Sequence, residues 1–166
     1  MRAAIDACFR AGLRVAWLGL RAYFAVFRPT VRASAVLIHW DGKLLLVTNS
    51  YRKGHGFPGG MLKWREDPRQ GACREIEEEV GLAIPQDRLD SIGLFVRKEW
   101  GAEIELHAFS LQVEQKPSFE IDRREVVAAE FFSIDEAARR LPESRDLIER
   151  FAEAASMLVR SHAEDT

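Results

Sequence analysis

The chain has 166 residues, enough for one domain with a sizeable core, and its 47% hydrophobic and 30% charged residues fit an ordinary globule. A net charge of −2 excludes a globally basic nucleic-acid binder, so no nucleic-acid partner is expected. The two cysteines, Cys8 and Cys73, make neither a disulfide framework nor a zinc spacing. Reduced thiols and a cytoplasmic location are the plain expectation.

Charge is unevenly spread. Residues 1–32 hold six arginines against Asp6 alone, a net of +5, so the remainder carries −7. At 3.6 residues per turn Arg2, Arg10, Arg14, Arg21 and Arg28 form one stripe, with Ile5, Phe9, Ala16, Leu20, Tyr23 and Phe27 opposite. This predicts an amphipathic helix over 1–30 that ends near Pro29. Arg14 and Arg21 leave no run long enough to span a membrane, and they spoil a signal peptide. Packing of the apolar arc on the chain's own domain or in a homodimer is the favoured reading. A helix lying on an anionic membrane surface is the alternative.

The body begins at residue 31. "ASAVLIHW" and "LLLVTN" read as strands joined at Asp41-Gly42-Lys43, and the unbroken apolar run Leu44–Val47 suggests a strand covered on both faces. "SYRKGHGFPGG" reads as a loop. Strands follow at 91–98 and 103–113 around a turn at Gly101, then a loop, then the strand "VVAAEFF". Two C-terminal helices are separated by Pro142. Strands and helices in this mixed order imply an α/β fold with helices on both sides of one sheet.

Between these lies a helix over about 68–80. Asp67 is its N-cap, Pro68 its first residue, Gln70 sits at the position that completes a capping box, and Gly81 follows its end. Ala72, Cys73, Ile76 and Val80 form the arc expected to face the core. Glu75, Glu78 and Glu79 form the neighbouring edge, with Glu77 pointing to solvent. Like charges one turn apart repel, so three carboxylates beside buried surface suggest a hard divalent cation such as Mg²⁺. Arg74 lies beside the cluster and can pair with Glu66.

The stretch 60–82 resembles the Nudix box, G-x5-E-x7-R-E-U-x-E-E-x-G-U with U a bulky aliphatic. Gly60, Glu66, Arg74, Glu75, Ile76, Glu78, Glu79, Gly81 and Leu82 fill every defined position. The order of elements from Ala33 onward is similar to the Nudix α/β/α sandwich around a mixed sheet. Residues 31–166 are then the Nudix domain and residues 1–30 an extra helix. The resemblance implies a hydrolase that uses Mg²⁺ or Mn²⁺ and cleaves a nucleoside diphosphate linked to another moiety, by water attack at phosphorus. Carried over, Glu75, Glu78 and Glu79 with the Gly59 carbonyl are the metal ligands. Glu66 and Arg74 hold the loop and orient the carboxylates. An extra acid before the last strand, Glu125 ahead of Glu120, serves as base or ligand.

Two positions depart from the family pattern: Arg65 stands where glycine is common, and Gly71 where a small alanine-like residue is usual. Arg65 is strained if its backbone needs a positive φ, or it meets a substrate phosphate. Arg52, Lys53, Arg97 and Lys98 are further candidate phosphate contacts, with solvated surface as the bland alternative. Phe57, Trp64 and Trp100 are candidates for stacking a base or for core packing. His55 and His107 read as bystanders. Two other classes remain: a Nudix-fold binding or regulatory module, which would often have lost box carboxylates, and a prenyl diphosphate isomerase, for which Cys73 on the core arc is poorly placed.

Overall fold

The computed structural model describes the backbone of residues 2–121 and 123–164, with side chains described over 5–121 and 123–155. The elements run α1 (Arg2–Phe27), β1 (Thr30–Trp40), β2 (Lys43–Asn49), β3 (Gly59–Met61), α2 (Pro68–Val80), β4 (Asp90–Glu99), β5 (Ala102–Gln112), β6 (Val126–Ser133), α3 (Ile134–Arg140) and α4 (Arg145–Glu164).

β1 and β2 form the expected hairpin through Asp41 and Gly42, both at positive φ. The sheet order is β4-β5-β1-β2-β6, with β3 added on β1. Only β1 and β5 pair in parallel; the other ladders are antiparallel. Along its length β1 is shared, pairing with β3 at Ala33–Ala35 and with β2 at His39 and Trp40. The sequence reading placed β3 in a loop, because "GGM" carries no apolar alternation; its pairing comes from the neighbouring strand.

Alternation along β1 and β2 splits the core between the two faces. Val36, Ile38, Leu45 and Val47 pack against Ala72, Ile76 and Val80 of α2. Leu37, Leu44 and Leu46 pack against Ala137, Leu147, Ile148 and Phe151 of α3 and α4. The run Leu44–Val47 is buried throughout, as a strand covered on both faces requires.

α1 forms as expected but turns a different face inward. Leu13, Trp17, Leu20 and Phe24, at helical spacing, meet the body, and Phe24 is buried. Of the apolar arc read from sequence, Ile5, Phe9, Tyr23 and Phe27 are about half exposed or more, and Val15, Leu18 and Val26 add to that open face. The wheel misled because α1 has apolar residues around most of its circumference. Phe24 meets the β4–β5 turn, where any side chain at Gly101 would press on its carbonyl. The arginine stripe is not free in solvent: Arg14 donates to the Ser50 carbonyl, and the Arg21 guanidinium lies over Trp100. Near the helix start Asp6 pairs with Arg124 at 3.1 Å. The Arg2 side chain lies outside the described residues.

Gly59 fixes how β3 meets β1. Its φ is +149°, and a Cβ there would stand 2.2 Å from the Ser34 carbonyl oxygen. The obstacle is backbone and cannot rotate away. Gly59→Ala is therefore expected to cost roughly 3 kcal/mol and to lower Tm by about 6–12 °C in a thermal melt, with unchanged Tm counting against this packing.

Candidate functional site

The end of the sheet where β1 divides between β2 and β3 opens into a cavity of about 700 Å³. Glu75 and Glu78 of α2, Gly59 and Gly60 of β3, Glu125 before β6, and Tyr51 and Arg52 of the β2–β3 loop line one part of it. α1 lines another, through Leu13, Ala16, Trp17, Leu20 and Phe24.

α2 positions the acidic edge. Asp67 caps it by accepting from the Arg69 and Gln70 N–H groups, and the Gly81 N–H closes it on the Glu77 carbonyl. Ala72, Ile76 and Val80 anchor it in the core, Cys73 is half-buried beside them, and Glu77 is exposed. The β3–α2 loop is strapped to this helix by Arg74. Its Nε and Nη2 reach the two oxygens of Glu66, each at 2.9 Å. Glu66 also accepts from the Lys63 N–H at 2.8 Å, and Arg32 donates to its carbonyl. Hydrogen bonding to Arg74 holds the Glu66 carboxyl at about 2, far below its ordinary value. Gly71 belongs to the same strap: a Cβ there would stand 2.3 Å from Leu62 Cδ2 and 3.1 Å from Glu66. The missing side chain lets the loop approach, which accounts for a glycine inside a helix.

Arg74 also organises the acidic edge, with Nη1 at 2.8 Å from Glu75 and 3.1 Å from Glu78. With those oxygens drawn to the guanidinium, no three carboxylate, His or Cys side chains among the described residues converge as a preformed metal cage. Glu79 takes a different course. It is buried and accepts from the Gly59 N–H at 2.9 Å. Burial pushes its carboxyl up to about 8, with the nearby Glu75 and Glu125 charges adding to the rise. Burial also raises Glu75, against the pull of Arg74. A Cβ at Gly60 would stand 2.7 Å from the Glu75 carboxyl, so backbone and carboxylate approach closely. Buried carboxylates that resist ionisation alone, beside an open backbone turn, fit a divalent cation, which favours their charged forms.

The sign of this strain is measurable. A carboxyl whose folded pKa is raised to about 8 leaves stability intact below its usual 4.5 and withdraws it as pH rises through 8. Chelator-treated protein is therefore expected to lose Tm between pH 5 and pH 8, and Mg²⁺ to restore it. A Tm flat over that range, unmoved by Mg²⁺, would contradict the placement. Glu66 acts oppositely, and its contribution is lost only as pH falls from 4.5 toward 2.

The other candidates divide. Glu125 lines the cavity, near enough to Tyr51 for its charge to act on the hydroxyl. Burial, then the Glu125 charge, pushes Tyr51 up to about 12. Glu120 instead packs on Gly81 at the far end of α2. Arg52 lines the cavity and donates to Asn49 at 3.1 Å. Arg97 lines it too but is engaged by the Glu143 carbonyl and by Asp146 at 2.6 Å. Lys53 and Arg65 are exposed and lie outside the lining. Arg65 adopts φ 59°, the left-handed region where the family pattern has glycine, and lies over the Trp64 ring. Trp64, read as stacking or core, is 89% exposed and lies outside the cavity lining, so it is not core. Phe57 is core, and Trp100 lines the cavity. His55 is bound on both ring nitrogens, to Thr48 and Arg140. Both cysteines are free thiols.

The sequence reading missed Tyr51 and Trp17. Their rings meet at 5.3 Å, and Trp17 meets Trp100 edge-on at 4.7 Å. The three are scattered along the chain, and no spacing rule links them.

A family model of the NUDIX domain matches residues 28–151. A MutT-like protein of Streptomyces ambofaciens is 28% identical over 116 residues, covering 69% of this chain and 70% of that protein. An RNA pyrophosphohydrolase of Hydrogenovibrio crunogenus is 36% identical over 56 residues, covering 34% of this chain and 33% of its own length. Among solved structures, a MutT protein from Methanosarcina mazei Go1 aligns with TM-score 0.67 at 21% identity, over 77% of this chain and 96% of that one. A NUDIX hydrolase from Nitrosomonas europaea aligns with TM-score 0.63 at 26% identity, over 75% and 90%.

Proposed function

That the chain belongs to the Nudix family of hydrolases acting on diphosphate bonds is the premise from which we propose that it cleaves a nucleoside diphosphate linked to another moiety, with Mg²⁺ or Mn²⁺. The observation that carries this reading is one cavity lined by Glu75, Glu78 and Glu125, with the buried Glu79 fixed on the Gly59 N–H beside it.

Glu75, Glu78, Glu79 and the Gly59 carbonyl are the proposed metal ligands. The bound cation would supply charge neutralisation at the phosphate oxygens and a water of lowered pKa. Glu125, beside Tyr51, takes the proton from the attacking water. The new oxygen–phosphorus bond forms as the bridging oxygen departs, leaving two phosphate products. Arg52, which lines the cavity, is the proposed contact to a phosphate oxygen. Arg74 and Glu66 position the acidic edge without touching the reacting atoms.

The alternatives fare less well. No box carboxylate is lost, as a non-catalytic module would often show. Cys73, the thiol an isomerase would need, packs among apolar side chains on the core side of α2, and burial pushes it up. A panel of nucleoside diphosphate derivatives, assayed for released monophosphate with Mg²⁺, Mn²⁺ or chelator, tests the proposal. Metal-dependent release from any member supports it; binding without release would favour the regulatory module.

A further inference from the structure

The family match begins at residue 28, so the α1 wall of the cavity belongs to this chain and not to the shared domain. While Ser34, Arg97, Glu99, Glu143 and Ser144 supply the polar part of the same lining, Leu13, Ala16, Leu20, Phe24, Val31, Ala33, Ile104 and Leu106 offer no side-chain hydrogen-bond group. Beyond them Leu141 and Leu147 complete an aliphatic surface. At that end Arg97 donates to Asp146 and to the Glu143 carbonyl, while its Nε and the Ser34 hydroxyl are buried without a partner. Trp17 and Trp100 are set edge-on to each other at 85°, a packing that closes the wall and leaves no parallel slot between the rings.

α1 is also fixed against the acidic end. Arg14 holds the Ser50 carbonyl, and the contacts run from Glu125 to Tyr51 to Trp17 to Trp100. The charged and apolar regions are thus parts of one cavity, joined by Tyr51. A nucleobase laid on Leu13, Ala16, Leu20 and Phe24 would find no side-chain partner there for its donors and acceptors. An aliphatic group would cover these side chains with no such penalty.

Resting on the diphosphatase reading above, we propose that the α1 wall binds an apolar group carried on the substrate diphosphate, so that the substrate is amphiphilic, with an aliphatic chain or alicyclic ring as the moiety beyond the phosphates. α1 is then a specificity element, and Leu13 and Leu20 its determinants.

The test uses the full chain and two series: adenosine diphosphate esterified with ethyl, butyl or octyl for turnover, and ethyl, butyl or octyl phosphate for binding, read by tryptophan fluorescence. KM and Kd are expected to fall at least tenfold from ethyl to octyl, a fraction of the roughly fourfold per methylene that complete burial gives. Leu20→Ser, with Leu13→Ser as a second variant should the first fold poorly, flattens that dependence in both series. Binding that tightens with chain length while neither these esters nor any member of the nucleoside diphosphate panel is cleaved keeps the apolar subsite and removes the diphosphatase reading. Turnover with no chain-length dependence overturns the amphiphilic substrate and leaves the diphosphatase reading standing. Unaltered chain-length dependence in both variants overturns the assignment to α1.

Discussion

Glu79→Gln is expected to lower metal-dependent turnover about 10³-fold or more, equivalent to roughly 4 kcal/mol of transition-state stabilisation. Glutamine keeps an oxygen to accept the Gly59 N–H, so β3 keeps its anchor while the charge is lost. The same change removes the cost of ionising a buried carboxyl whose pKa is pushed up to about 8. The variant should therefore melt higher than the wild type in chelator at pH 8. Loss of activity with gain of stability separates a functional charge from a structural one. Near-normal turnover at saturating Mg²⁺ would remove Glu79 from the site.

Glu125→Gln is expected to lower kcat about 10²-fold, with Glu120→Gln far milder. Glu125 shares the cavity with Glu75 and Glu78 and lies beside Tyr51, whereas Glu120 packs on the backbone beyond the last turn of α2. Tyr51→Phe should fall between the two, because it changes the surroundings of the base without removing it. If Glu120→Gln proved the more damaging change, the base assignment would move with it.

The α2 edge was legible because its signals are local. Asp67, Pro68 and Gly81 bound the helix within thirteen residues, and 3.6-residue spacing places Glu75, Glu78 and Glu79 together. The Arg74–Glu66 strap was legible for the same reason. What the chain did not disclose depends on contacts between distant segments. β3 has no strand pattern and exists because Gly59–Met61 lies against Ala33–Ala35. Trp64 looks like core or stacking surface until the loop projects it into solvent. α1 illustrates the same limit: periodicity announced a helix, but with apolar residues on most sides only the docked partner decides which stripe goes inward.

The attachment of α1 has an energetic consequence. One apolar stripe and a few polar contacts hold it, Phe24 alone is buried among its described side chains, and Val15, Leu18, Val26 and Phe27 remain open on the far side. The sheet, by contrast, is locked by continuous ladders and two packed faces. α1 is therefore expected to undock as a separate unit, at a free energy below that of global unfolding, with its amides exchanging in a hydrogen-exchange experiment ahead of those in β1 and β5. The cavity loses a wall whenever this happens. Any ligand that leans on α1 binds with an apparent Kd weakened by the fraction of molecules in which the helix is docked, and it slows exchange of the α1 amides in return. Temperature and denaturant at levels too low to disturb the sheet then tune recognition, while the acidic edge keeps its geometry.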